Sequence, residues 1–474
     1  MTVSRPHFHF TPPQNFMNDP NGLVFFDGEY HLFYQHNPFG NEWGHMSWGH
    51  AVSCDLVHWE HLPVALPEEN GVMIFSGSAV VDWQNTSRLG APGKPPLVAI
   101  YTAHSETEQN QNIAYSTDRG RTWEKYDENP VIAIGARDFR DPKVFWHAST
   151  QKWIMVTVLS DQHRVRFDGS SDLKHWAYLS SFGPAGATDG IWECPDLFAL
   201  PVEGEQGTIK WVLKVDVLRG VGAQYFIGDF DGTRFTNDAA SNEIRRVDFG
   251  EDFYAAQSWS DAPGEGPDGR RIWIAWMNNW HYANDIPTSP WRGLFSIPRR
   301  LSLRKFTQGE RLVQQPVEEL ERLRHLRYHA TDGDIQAVNT HLAALRLERS
   351  VEINLEFLLE TTIEFGLKLC TGEAEESVIG YDVRSQELFM DRRRSGDVTF
   401  SGQFAGIQRA HLPVEEGKIG LRIFVDSCSV EVFGNDGYSV LSNLIFPKTQ
   451  NLGLDFYVRD GTARLSNLDI WELM

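Results

Sequence analysis

The sequence predicts an all-β chain, a five-bladed β-propeller followed by a C-terminal β-sandwich. Three observations predict it. A turn motif recurs, with Ser53, Asp55 and Trp59 in SCDLVHW, Ser116, Asp118 and Trp123 in STDRGRTW, and Ser170, Asp172 and Trp176 in SSDLKHW. GDFDGTRF is a weaker fourth copy, and the four aspartates (Asp55, Asp118, Asp172, Asp231) fall 63, 54 and 59 residues apart. Strand-like runs precede each copy (GEYHLFYQ, PLVAIYTA, KWIMVTVL, KWVLKVDV), so each copy reads as the outer hairpin of one antiparallel sheet. Repeats of this size in an all-strand context suggest propeller blades. With a further blade at RRIWIAWMNNW, five blades fit residues 1–305.

After SIPRRLSL the texture changes. PVEELERLRHL has apolar residues at near-helical spacing and predicts a short helix in a linker over 306–329. Beyond it, Val351, Ile353, Leu355 and Phe357 alternate with polar residues, as do Ile363, Phe365, Leu367 and Leu369, and Ile419, Leu421, Ile423 and Val425. Period-two alternation with turns at VDSCS and FGNDGYS predicts the β-sandwich over 330–474. Nothing in that half forms a chemical constellation.

Bulk properties exclude several partners. The chain has 474 residues, 41% of them apolar, and 43 basic against 64 acidic residues give a net charge of −21. That charge repels phosphate surfaces and argues against nucleic acid or an anionic membrane. No stretch approaches 18 consecutive apolar residues, so no spanning helix is expected. The start MTVSRPHFHFTPPQ has no apolar h-region, which predicts a cytoplasmic protein, or a secreted one if a leader has been removed. Cys54, Cys194, Cys370 and Cys428 lack CxxC spacing, so neither disulfides nor zinc is expected. The 16 Trp are numerous, but they fill cores as readily as they stack on sugars.

Three acids stand out. Asp19 lies in NFMNDPNG, Asp141 in FRDPKVFW and Glu193 in GIWECPDLF. Each is flanked by aromatic or apolar residues and followed by Pro within two positions, and separations of 122 and 52 residues correspond to about two blades and one. Most carboxylates are solvated surface charges, but three in matching strand-start contexts suggest an acidic pocket on a propeller axis. The histidines of WGHMSWGH (His45, His50) lack HExxH spacing and read as hydrogen-bonding residues, with no metal and no cofactor expected.

The motifs MNDPNG, FSGSAV, FRDP and WECPDLF, in that order, resemble those of glycoside hydrolase family 32, the invertases, inulinases and levanases. The resemblance covers nearly the whole chain, including WGHAVSCDLVHWEHLPVAL and VEVFGNDG. It implies a retaining β-fructofuranosidase that removes terminal fructose from sucrose, levan, inulin and fructo-oligosaccharides, of the exo-levanase or exo-inulinase type. It also implies roles. Asp19 is the nucleophile, Glu193 the acid/base, and Asp141 holds fructose hydroxyls and stabilises the cation-like transition state. Asn18 and Gln35 correspond to fructose-hydroxyl ligands. Trp43, Phe75, Ser76 and Trp291 correspond to pocket walls, Arg140 binds sugar oxygens or fixes a carboxylate, and Cys194 is a packing thiol beside the acid. Many members carry Trp where this chain has Phe16, which would alter stacking at the pocket mouth. Rival readings are the arabinanase and xylosidase propellers, a fructosyltransferase sharing the covalent step, and a non-catalytic sugar-binding propeller. Linkage preference and oligomeric state are not legible.

Overall fold

The recurring Ser–Asp pairs build one kind of turn. In each, the serine hydroxyl donates to the aspartate two residues on, at 3.2 Å for Ser53–Asp55, 2.8 Å for Ser116–Asp118 and 3.1 Å for Ser170–Asp172. The same carboxylates accept backbone N–H groups ahead of them, from Val57 and His58, Arg121 and Thr122, and Lys174 and His175. Asp231 accepts likewise from Thr233 and Arg234. A short carboxylate thus satisfies the donors that a tight turn exposes. All four turns join the third and fourth strands of a sheet.

The computed structural model describes residues 3–240, 242–264, 270–449 and 451–474. Five four-stranded antiparallel sheets surround one axis, with inner strands Asn15–Phe26, Met73–Val81, Phe139–His147, Trp192–Glu203 and Tyr254–Ser258. Each inner strand packs on its neighbours, and the fifth meets the first, where Ser260 and Leu23–Phe25 exchange backbone bonds. An excursion from the fifth blade adds Trp291–Arg292 in parallel to Asn15 and Phe16, which ties the first strand to the last sheet.

Gly309–Pro316 pairs with Arg299–Phe306 and is the outermost strand of the fifth blade. Arg324–Gly333 pairs with Ala463–Leu473 inside the sandwich. The segment set aside as a linker, 306–329, is therefore largely strand, and only 317–323 connects the halves. Its predicted helix is a six-residue 3-10 turn, Glu318–Leu323. The apolar spacing of PVEELERLRHL serves it by burying Leu320 and Leu323.

The sandwich stacks a six-stranded sheet on a five-stranded one. The alternating residues Val351, Ile353, Leu355 and Phe357 meet Phe365, Leu367 and Leu369 in one core, as period-two burial requires. A helix not anticipated from the sequence, Ile335–Ala344, covers one end, capped by the Asp334 carboxylate on the Ala337 N–H at 3.0 Å. Buried charges join sandwich to propeller. Arg299 bonds Asp248 at 3.0 Å and also Glu431, while Arg392 bonds Asp252 at 2.5 Å. His9 spans Asp426 and Glu431, each at 2.9 Å. Among the described residues no helix is long and apolar enough to cross a membrane.

Candidate active site

Each inner strand breaks its ladder near its N-terminal end. The register slips between Met17 and Pro20, Phe75 and Gly77, Val156 and Val158 (opposite Arg140–Lys143), Glu193 and Asp196, and Tyr254 and Gln257. These are β-bulges, which bend a strand and re-aim its side chains. Their residues include Asn18, Asp19, Ser76, Asp141 and Cys194. The prolines that mark the three acids now have a reason. Pro20, Pro142 and Pro195 sit in or beside bulges, where a missing N–H costs no ladder bond. Asp141 and Cys194 have φ of 60° and 47° although each precedes a proline, a strained placement for L-residues.

The three acids converge. Asp19 is 8% exposed, and its Oδ1 accepts the Asn18 amide at 3.0 Å. Its Oδ2 accepts the Ser76 hydroxyl at 2.6 Å and the Cys194 thiol at 3.4 Å. Asp141 Oδ2 accepts the backbone N–H of Cys194 at 2.9 Å, and the Asp141 N–H donates to Thr102 Oγ1 at 3.0 Å. Glu193 Oε1 accepts Arg140 Nη2 at 3.0 Å and Nε at 3.2 Å, and Oε2 accepts the Tyr254 hydroxyl at 2.5 Å. Cys194 therefore joins all three. It follows Glu193 in the chain, its N–H holds Asp141, and its thiol holds Asp19.

Burial raises the proton affinity of Asp19 and Asp141. Asp19 is pushed up by burial and by Glu193, against the hydrogen bonds from Ser76, Asn18 and Cys194, which favour its charge. Asp141 is pushed up to about 7 by burial, with Arg140 opposing and Glu193 and Asp19 adding repulsion. Burial, then the charges of Asp141 and Asp19, push the Cys194 thiol far up, so it keeps its proton and remains a donor.

Of the expected wall and ligand positions, Ser76 and Asn18 bond the Asp19 carboxylate directly, and the Asn18 Oδ1 is buried with no hydrogen-bond partner among the described residues. Gln35 is placed deeper, with its amide N–H on Asn21 Oδ1 at 2.7 Å and on the Ile74 carbonyl at 3.0 Å. Trp43 is 40% exposed, its ring edge-on to Phe75 at 6.1 Å, and its backbone N–H donates to Asn284 Oδ1 at 2.9 Å. Arg140 fixes a carboxylate, that of Glu193. Trp291 pairs with Asn15 beside the first inner strand and is buried among Met277, Tyr282, Leu294, Phe404 and Phe446, with the Arg5 guanidinium 5.4 Å from its ring. Phe16 is fully buried and packs edge-on to Trp276 at 6.4 Å, so the departure at that position changes core packing and not the pocket mouth. His50 bonds His31 at 3.1 Å and His45 bonds Glu68 at 2.7 Å, the hydrogen-bonding use expected of them.

The sequence reading missed Tyr254, Gln257, Lys214 and Asp216. Lys214 and Asp216 are fully buried and ion-paired, and Lys214 donates to the Cys194 carbonyl at 3.0 Å while Gln257 does so at 3.3 Å. Burial pushes Asp216 up to about 7 against the pull of Lys214. Two charges at alternate positions of the apolar strand Ile209–Val217 were the available signal. Tyr254 offered none, because YAAQS reads as an ordinary strand.

Comparison with known proteins places the chain. Residues 9–316 match the glycosyl hydrolases family 32 N-terminal domain and 319–472 the family 32 C-terminal domain. The chain is 51% identical to a levanase of Bacillus subtilis (strain 168), over 99% of this chain and 70% of that protein. It is 41% identical to an extracellular exo-inulinase of Aspergillus ficuum, over 99% of this chain and 94% of that one. The exo-inulinase structure from Aspergillus awamori superposes with a TM-score of 0.92 at 37% identity, over 100% and 99% of the two chains. A β-fructofuranosidase of Schwanniomyces occidentalis superposes at 0.86 and 31% identity, over 100% and 99%. With both domains matched in order, from residue 9 to residue 472, the chain belongs to glycosyl hydrolase family 32.

Proposed function

We propose that the protein is a retaining, exo-acting β-fructofuranosidase that hydrolyses terminal fructosyl residues of sucrose, levan, inulin and fructo-oligosaccharides. The observation that carries this reading is the joining of Asp19, Asp141 and Glu193 through the one residue Cys194. Two carboxylates acting from opposite sides of a glycosidic bond are what double displacement requires, about 5–5.5 Å apart in retaining enzymes.

Asp19 attacks the anomeric carbon of fructose while Glu193 gives a proton to the departing oxygen. The C–O bond to the leaving sugar breaks as the bond to Asp19 forms. Glu193, now a carboxylate, takes a proton from water, and the hydroxide formed attacks the same carbon and frees Asp19. Ser76, Asn18 and Cys194 keep the Asp19 charge in place for attack. Asp141, held by the Cys194 N–H, stabilises positive charge developing on the sugar ring. Arg140 and Tyr254 fix the direction in which Glu193 presents its oxygens. Trp43 and Phe75 offer aromatic faces at the mouth. Relatives named levanase and exo-inulinase support fructans as substrates, and those named extracellular support a place outside the cell. The propeller would carry the chemistry, with the sandwich bracing it.

The test is the course of sugar release from sucrose, inulin and levan. Fructose from the first time point without mid-length oligosaccharides is expected. An early ladder of oligosaccharides would remove the exo assignment, and no fructose from any of the three would overturn the reading.

A further inference from the structure

Arg140 is held on its far side as well. Its Nη1 donates to Asp138 Oδ1 at 3.0 Å and to Gln109 Oε1 at 3.2 Å. Gln109 opens the strand Gln109–Ser116, directly opposite His104 at the end of Leu97–His104, and its Nε2 lies 3.2 Å from His104 Nδ1. The His104 ring is stacked on Phe75 at 4.2 Å with only 5° between the planes. A chain of hydrogen bonds thus runs from His104 at the aromatic mouth through Gln109 and Arg140 to the Glu193 carboxylate.

The directions along this chain are determined. Arginine can only donate, so the Gln109 oxygen must face Arg140 and its NH₂ must face His104. His104 Nδ1 is then an acceptor, and the ring is neutral with its proton on Nε2. Burial, followed by the charge of Arg140, holds the imidazole below its ordinary range, with Arg137 acting in the same direction and Asp138 against it. A proton on Nδ1 would face two donors toward each other. The amide would have to turn, which would bring its NH₂ against Arg140.

We infer that His104 and Gln109 are positioning residues for the acid/base: neutral His104 fixes the Gln109 amide so that Gln109 holds Arg140 on Glu193, and protonation of His104 releases that hold. The inference rests on the role proposed above for Glu193. Loss of sucrose hydrolysis in Glu193→Ala tests that role separately, so the two can fail independently.

The experiment is the pH dependence of kcat on sucrose for the parent, His104→Asn and His104→Leu, with melting temperatures to confirm folding. Asparagine places an oxygen acceptor where Nδ1 lies but cannot titrate. His104→Asn is expected to keep kcat at pH 7 within about twofold while its acid-side loss moves to lower pH. His104→Leu removes the acceptor, and kcat at pH 7 should fall about tenfold with little change in KM, within the roughly 10²-fold that misplacing a catalytic group can cost. A His104→Leu enzyme with the parent's kcat and profile would overturn the inference. So would a His104→Asn enzyme with the parent's acid limb unchanged, and this result decides the matter even if the leucine variant does not fold.

Discussion

In the proposed cycle Asp19 and Glu193 act at different moments, so either loss should stop it. Asp19→Ala and Glu193→Ala are each expected to lower the rate on sucrose by at least about 10²–10⁴-fold, the range for acid/base help alone. More than about a tenth of the parent rate in either variant, with folding confirmed by circular dichroism, would remove that residue from the role. The acids were legible in the sequence because a bulge leaves a mark. Proline is tolerated where a ladder bond is missing, and Asp–Pro or Glu–x–Pro before an apolar run records that gap. Their supporting residues left no such mark. Gln109, Tyr254 and Gln257 lie in ordinary strand patterns and act only because neighbouring blades bring them together. Ser76 was visible as a wall position, but its bond to the Asp19 carboxylate depends on the bulge between Phe75 and Gly77.

At the scale of elements, the Ser–Asp turns were the most readable feature and also carry stability. Removing the carboxylates in Asp55→Ala, Asp118→Ala and Asp172→Ala leaves turn N–H groups without their partners. Each should cost about 1 kcal/mol, and the three should add nearly independently because they lie in separate blades. Urea denaturation of the single and triple variants measures this. Burial raises the proton affinity of Asp55 and Asp172, but bonds from His58 and Val57, and from His175 and Lys174, outweigh it and hold both at about 2. Their folded values lie below the ordinary 3.8, so this stabilisation is present above about pH 4. It is lost as pH falls toward 2, and the gap between parent and triple variant should close there. The linker was less legible, because Gly309–Pro316 and Arg324–Gly333 find their partners, Arg299–Phe306 and Ala463–Leu473, through pairing that these charged strands do not announce.

For the whole molecule, the junction of propeller and sandwich is a buried ionic lattice that the sequence did not reveal, since the bonds that cross it join positions more than a hundred residues apart. His9 is the pH-sensitive member. Burial lowers its proton affinity, but the bonds to Asp426 and Glu431 outweigh that and raise it from 6.5 to about 9. The folded value lies above the unfolded one, so this contribution is complete below about pH 6.5 and is lost as pH rises through about 9. The melting temperature of the parent should fall across that window. His9→Gln leaves the buried Asp426 without its cation and Glu431 with Arg299 alone, should destabilise by about 3–5 kcal/mol near neutrality, and should lack that dependence. A His9→Gln protein with the parent's stability and the same alkaline decline would remove His9 as the cause.

In the proposed mechanism Asp19 forms a covalent fructosyl intermediate within a three-acid centre. Attack by Asp19 inverts the anomeric carbon, and water activated by Glu193 inverts it again, so the first product keeps the configuration of the substrate. Proton NMR of the opening minutes of sucrose hydrolysis, before mutarotation, reads this directly. β-Fructofuranose is the expected first sugar released. α-Fructofuranose as the first sugar would contradict double displacement and with it the role of Asp19.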